Sequence, residues 1–312
     1  MSNNKLTVSG GRVIGLSPFV VAGIINTTPD SFSDGGLYHE AEAALAHCLR
    51  LWGEGAGILD LGGESTRPGS DFVDAATEMA RLEPVLRGLA RVRALRLASP
   101  AVSLDDLCDE YCPELPVGKA PDGELPLLSI DTWRASTARA VLELGAEIIN
   151  DISGGVFDPD MPAVLAEYRP GYILGHAPAP PRTMQNAPKY NNVVEELYAF
   201  FAERIEALVR AGLPQECIVL DVGIGFGKNL EHNLELLRHM SRFHSLGRPI
   251  CLGISRKSFF GDLLGLSKGQ ARDAATQVAT ALIAACGVQM HRVHDVKGAV
   301  EAIRLAQAII CN

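Results

Sequence analysis

Eight short apolar runs recur along the chain: Val20–Ile25, Ile58–Leu61, Leu127–Ile130, Glu147–Ile149, Tyr172–Leu174, Ile218–Leu220, Ile250–Leu252 and Met290–Val293. They are too short for helices and do not alternate polar with apolar. Strands buried on both faces of a parallel sheet read this way. Helical spacing fills the intervals. Ala41, Leu45, Cys48, Leu49 and Trp52 share one face before a stop at Gly53 and Gly55. Val194, Leu197, Phe201, Ile205 and Leu208 repeat the pattern up to Gly212, and Thr137, Val141 and Leu142 do so up to Gly145. Eight strand–helix units predict a (β/α)8 TIM barrel, whose closure removes both sheet edges. Residues 1–312 then form a single domain. Leu6–Ser17, with its Gly10-Gly11 turn, predicts a small N-terminal hairpin within residues 1–17, plugging the barrel floor. Residues 91–124 break the rhythm and are expected to be an irregular peripheral insertion between the second helix and the third strand, on the face opposite the active site.

Charge narrows the range of partners. Lys and Arg total 28 against 37 Asp and Glu, a net charge of −9. That argues against general nucleic-acid binding, which needs a basic surface, but leaves room for a small anion held by local cations. The N-terminal residues have no apolar core, so no signal peptide is expected, and no apolar stretch is long enough to span a bilayer. With seven cysteines, reduced thiols in a cytoplasm are the expectation. Cys108 and Cys112 have no second pair or nearby His to complete a zinc tetrad.

The candidate chemistry gathers at the carboxyl ends of the apolar runs: Asn26, Asp60 with Glu64, Asp131, Asn150 with Asp151, His176, Asp221, Ser255 with Lys257, and Arg292 with His294. In a barrel these ends converge on one rim. Several buried polar groups together are hard to explain by stability, since each costs free energy unless partnered. The turn from Asp221 to Lys228 fits neither the P-loop, having Val222 for the first Gly and Asn229 for Ser or Thr, nor the dinucleotide fingerprint, having Lys228 for the third Gly. Its glycines either let backbone approach a flat ligand or simply turn the chain. Loops after the seventh and eighth strands commonly bind phosphate, which favours Lys257 and His294; Arg256 by itself reads as a solvated surface charge. Asp131, Asn150 and Asp221 could line a pocket for a planar heterocycle, hold a metal, or stay solvated.

These residues resemble the dihydropteroate synthases of folate biosynthesis. The resemblance runs from Val20 to Ala308 in ordered blocks: Gly23–Gly36, Asp60–Gly69, Ser129–Thr132, Asn150–Gly155, Gly223–Lys228, Gly253–Ser258 and Arg292–Asp295. It implies condensation of p-aminobenzoate with a dihydropterin methyl diphosphate, releasing pyrophosphate. It also implies that Asp131, Asn150, Asp221 and Lys257 hold the pterin. Asn26 would ligate Mg²⁺ on the diphosphate, with Thr66, Arg292 and His294 on its oxygens. Phe32, Thr66, Arg67, Pro68, Phe226 and Ser258 would shape the p-aminobenzoate site, and Asp34 would sit near the reacting methylene. Asp34, Lys257, Arg292 and His294 would carry the catalysis. A homodimer and inhibition by sulfonamides are implied as well.

Two segments depart from the family pattern. His176-Ala-Pro-Ala-Pro-Pro181 replaces His-Met-x-Gly-x-Pro, and Asp221-Val-Gly223 replaces Asp-Pro-Gly, while Arg182-Thr-Met-Gln185 is retained. A corrinoid-linked methyltransferase would share the pterin-holding residues, but it would not need the Ser255-Arg-Lys, Arg292-x-His or Thr66-Arg-Pro groups. A paralogue that binds pterin without turnover is the other alternative.

Overall fold

The computed structural model describes residues 4–27, 36–66, 69–70, 72–98, 125–186 and 188–310. Phe32, Asp34, Arg67, Pro68 and residues 99–124 of the insertion lie outside the described residues. Eight parallel strands close into a barrel: β3 (Val20–Asn26), β4 (Ile58–Gly62), β5 (Leu127–Asp131), β6 (Ile148–Asp151), β7 (Gly171–Gly175), β8 (Ile218–Asp221), β9 (Ile250–Leu252) and β10 (Met290–Val293). β10 pairs with both β3 and β9, so the sheet has no edge. This is the predicted TIM barrel.

Around it stand α1 (Gly36–Gly53), α2 (Ala75–Ala98), α3 (Ala135–Glu143), α4 (Met161–Tyr168), α5 (Val193–Ala211), α6 (Leu230–Arg238), α7 (Met240–His244), α8 (Phe259–Leu264), α9 (Asp273–Ala285) and α10 (Val296–Ile310). α5 shows how locally these helices are specified. The Asn192 side chain accepts from the Glu195 N–H at its start, and Gly212 ends it in the left-handed region at φ +116°.

The barrel interior is layered. One residue from each strand (Ala22, Ile58, Leu127, Ile148, Ile173, Val219, Cys251 and Met290) forms an apolar floor. Leu6, Val8 and Leu16 pack onto it from the N-terminal hairpin, whose strands are β1 (Lys5–Thr7) and β2 (Val13–Gly15). The hairpin thus plugs the floor as expected. Register then lifts polar residues to a common level near the other end: Asn26 pairs with Gly62, Gly62 with Asp131, and Asp131 with Asn150.

One expectation is corrected here. Residues 91–98 are not irregular; they are the last two turns of α2. Leu82, Val85, Leu86, Leu89 and Val92 make one continuous buried stripe. The Arg, Ala and Leu residues of this stretch are strong helix formers.

Candidate active site

Arg292 organises the upper interior. From β10 its side chain turns into the barrel, where Nε donates to Asp60 Oδ2 at 2.5 Å and Nη2 to Asp131 Oδ2 at 2.7 Å. Asp60 also accepts from Ser129 Oγ at 2.5 Å and from Asn150 Nδ2 at 3.3 Å. One guanidinium therefore faces two buried carboxylates. Burial pushes the Asp131 carboxyl above its usual range, with Arg292 opposing and Asp60 reinforcing the rise. Asp131 Oδ1 is buried and has no hydrogen-bond partner among the described residues. An unpartnered buried carboxylate oxygen is costly, and it is suited to receive an N–H from a ligand ring edge.

The other predicted pterin residues surround this point. Asn150 is buried at the end of β6. Asp221 closes β8, its Oδ1 accepting the Gly223 N–H at 2.8 Å, and burial raises its carboxyl too. Lys257 extends its Nζ to 3.7 Å from the centre of the Phe226 ring, a cation–π contact. Phe226 is itself buried against Ile152, Ala177 and Met184, so an apolar wall stands beside the polar groups. His294 Nδ1 lies 2.9 Å from Ser255 Oγ, just beyond β10. Asn26 is half-buried at the end of β3, Thr66 is half-buried in the loop after β4, and Ser258 is exposed at the start of α8. The rim thus gathers Asn26, Asp131, Asn150, Asp221, Lys257, Arg292 and His294.

The Arg256 expectation is overturned. Arg256 does not face solvent alone. At φ +57° its side chain forms a two-point bridge to Asp273, 2.7 and 2.9 Å, and its N–H donates to Thr276 Oγ1. Buried Arg272 donates to the carbonyls of Arg256 and Lys257, so α9 and the residues just before it fix the backbone that carries Lys257.

The glycine turn is built by close approach. Gly223, Gly225 and Gly227 all have positive φ. Inside the turn, Lys228 Nζ donates to the carbonyls of His176, Gly223 and Phe226 at 2.9–3.2 Å, and lies 3.1 Å from His176 Nδ1. A lysine donating to three loop carbonyls fastens the loop after β7 to the loop after β8. That is a structural use of the lysine that ends the glycine turn.

His176 is held neutral here. Burial first, and then the Lys228 charge, lower its pKa from 6.5 to about 2. Unfolding frees it to bind a proton at its ordinary pKa. The group's stabilising share is therefore full above pH 6.5 and is lost as pH falls below it, by about 2 kcal/mol between pH 7 and pH 5. Urea unfolding at the two pH values should show this drop, and His176→Asn should flatten it. An unchanged pH slope in the variant would contradict the assignment.

Among the described residues there is no cluster of three His, Cys, Asp or Glu side chains able to cage a metal ion. One oxygen donor at the rim is the amide of Asn26, half-buried at the end of β3. One neutral oxygen suits Mg²⁺, which commonly keeps its waters and takes one or two protein ligands plus substrate phosphates.

Known proteins share this fold and much of this sequence. The family described as pterin binding enzyme matches residues 22–107 and 117–294. A dihydropteroate synthase of Streptococcus pyogenes serotype M6 is 37% identical over 298 residues, covering 95% of each chain. The solved structure of the Xanthomonas albilineans dihydropteroate synthase with 4-aminobenzoic acid superposes with a TM-score of 0.83, at 36% identity and over 100% of both chains. A second structure of that enzyme, in complex with 7,8-dihydropteroate, gives a TM-score of 0.79 at 34% identity over 99% of both chains.

Proposed function

The chain belongs to the pterin-binding enzyme family, among its dihydropteroate synthases, and on that premise we propose how its rim residues divide the work. The enzyme condenses p-aminobenzoate with (7,8-dihydropterin-6-yl)methyl diphosphate to give 7,8-dihydropteroate and pyrophosphate in folate biosynthesis. The observation that carries the assignment of the pterin pocket is the unpartnered, buried Asp131 Oδ1 beside Asn150 and Asp221.

Asp131 and Asp221 accept hydrogen bonds from the amino and ring N–H groups of the pterin, Asn150 supplies its amide, and Lys257 donates to a ring acceptor. The Phe226 wall packs against ring and arylamine. Asn26, Thr66, Arg292 and His294 receive the diphosphate, with Asn26 the residue that would hold Mg²⁺. When bound, Mg²⁺ supplies charge neutralisation on the leaving diphosphate. The methylene C–O bond breaks and diphosphate departs with the electron pair. The resulting cation is shared with the pterin ring, and Asp34 is the carboxylate assigned beside it. The arylamine nitrogen, held by Phe32, Thr66, Arg67, Pro68 and Ser258, donates its lone pair to the methylene and then releases a proton. A neutral arylamine is already nucleophilic, so positioning supplies most of what this step needs. Sulfonamides, which mimic the arylamine, should compete for its site.

A homodimer through the last two helices fits the exposed Val278 and Leu282 on α9 and Leu305 and Ile309 on α10, each pair four residues apart. No described helix is long and apolar enough to cross a membrane. The free buried thiols of Cys48, Cys217 and Cys251 support placement in the cytoplasm.

Pyrophosphate release with both substrates tests the reading. Turnover should require both substrates, stop with EDTA and return with added Mg²⁺. Tight pterin binding without pyrophosphate release would instead establish a non-catalytic binding protein.

A further inference from the structure

We propose that Arg134 is a positioning residue for the arylamine, acting through the loop that carries Thr66. The inference rests on the assignment of Thr66 to the p-aminobenzoate site.

The loop leaves β4 at Gly63 and rejoins the helical layer before α2. Arg134, just before α3 and almost fully buried, reaches both of its stems. Its guanidinium donates to both oxygens of Glu64, at 2.8 and 3.1 Å, and also to the carbonyl of Val73. Val73 N–H in turn donates to Glu64 Oε1 at 2.9 Å. Residues 64 and 73 are thereby closed on one another through a single side chain, and Thr66 stands two residues beyond the clasp. Two flat rings hold that side chain in place. The Arg134 guanidinium lies 4.3 Å from the Trp133 ring centre and 4.8 Å from that of Phe72, and Trp133 Nε1 donates to Glu64 Oε2 at 3.2 Å.

The base beneath the clasp is equally fixed. Arg134 Nη1 also donates to the fully buried Glu78 on α2, which accepts from Thr137 Oγ1 at 2.6 Å. Arg81 donates to the Gly63 carbonyl at 2.8 Å. A Cβ at Gly63 would stand 2.9 Å from the Glu78 carbonyl oxygen, so the loop backbone sits directly on α2. A purely stabilising ion pair would need only one carboxylate. This guanidinium spends its donors on two carboxylates and a loop carbonyl, which fixes where the loop starts and ends. A planar fork is suited to that task; an ammonium is not. A displacement of about 1 Å in such a support can cost two orders of magnitude in rate.

The test uses the full-length enzyme in three forms. Arg134→Lys keeps the charge but loses the fork. Arg134→Met with Glu78→Gln removes the guanidinium without stranding both carboxylates. Thr66→Ala reports on the loop's own role. Both Arg134 variants should raise KM for p-aminobenzoate by about tenfold or more, with the lysine form the milder of the two, while the pterin dissociation constant from calorimetry stays within about twofold. A lowered melting temperature with KM for p-aminobenzoate unchanged in the lysine form would make Arg134 merely structural and overturn the inference. Should the double variant fail to fold, the lysine form still decides. If Thr66→Ala raises that KM and the Arg134 variants do not, only the inference falls. If Thr66→Ala also leaves it unchanged, the assignment of the loop falls and takes the inference with it.

Discussion

Arg292→Ala is expected to cost at least about 100-fold in kcat/KM and about 3–5 kcal/mol in stability, the size typical of breaking a buried ion pair from one side. The variant strands Asp60, 1% exposed, and Asp131, 5% exposed, with no cation between them. Both losses have one cause. The charge that bridges the two carboxylates is also the one proposed to meet the diphosphate. Arg292→Lys keeps a cation but cannot bond Asp60 and Asp131 together at 2.5 and 2.7 Å, so it should recover stability better than activity. Adding Asp60→Asn to Arg292→Ala should restore part of the stability and none of the turnover. Urea unfolding beside steady-state pyrophosphate release separates the two readouts. An Arg292→Ala enzyme within about tenfold of the parent's kcat/KM would mean the guanidinium serves the fold alone.

Much of this site follows from the chain read in order. The apolar runs locate all eight barrel strands to within two residues, because a strand buried on both faces must be apolar throughout. Once eight such strands close, polar residues at their carboxyl ends have only one rim to occupy, which is why Asn26, Asp131, Asn150 and Asp221 could be placed together. The floor hairpin was legible from the Gly10-Gly11 turn within Leu6–Ser17, and Leu6, Val8 and Leu16 are the side chains with which it covers the floor.

The pairings across the barrel were not legible. Arg292 and Asp60 are 232 residues apart, and nothing local in either segment names the other. Asp60 was visible only as one more polar strand end; its burial and its three partners depend on barrel closure. Arg134 gave still less signal, since an arginine after a strand is ordinarily a surface charge. Its function follows from Glu64, Val73 and Glu78 arriving from another part of the chain. Arg256 misled in the same way, its two-point bridge to Asp273 being set by the approach of α9. The end of α2 is a different kind of miss. There the expected break begins at Arg91, although Leu89 and Val92 continue the buried stripe of a helix that runs to Ala98.

The glycine turn shows where the sequence stated a requirement whose reason only the structure supplies, and it yields the sharpest steric expectation. Gly223→Ala should destabilise the fold by about 3 kcal/mol or more, combining a left-handed alanine with overpacking. At φ +65° the residue already sits where a side chain is unfavourable, and an added Cβ would lie 2.1 Å from the His176 carbonyl oxygen. That oxygen belongs to backbone and cannot rotate aside. It also accepts from Lys228 Nζ at 3.2 Å, so relief of the clash must pull apart the lysine that joins the two loops. Asp221, whose Oδ1 holds the Gly223 N–H, would turn with it, and pterin affinity should fall together with stability. Gly247→Ala is the matched control. Its φ is +71° and nothing lies within 4 Å of the added Cβ, so only the backbone penalty of about 1–2 kcal/mol applies. Urea unfolding of the two variants under one condition compares them directly. Equal losses would mean that the loops after β7 and β8 do not approach each other as closely as His176 and Gly223 require.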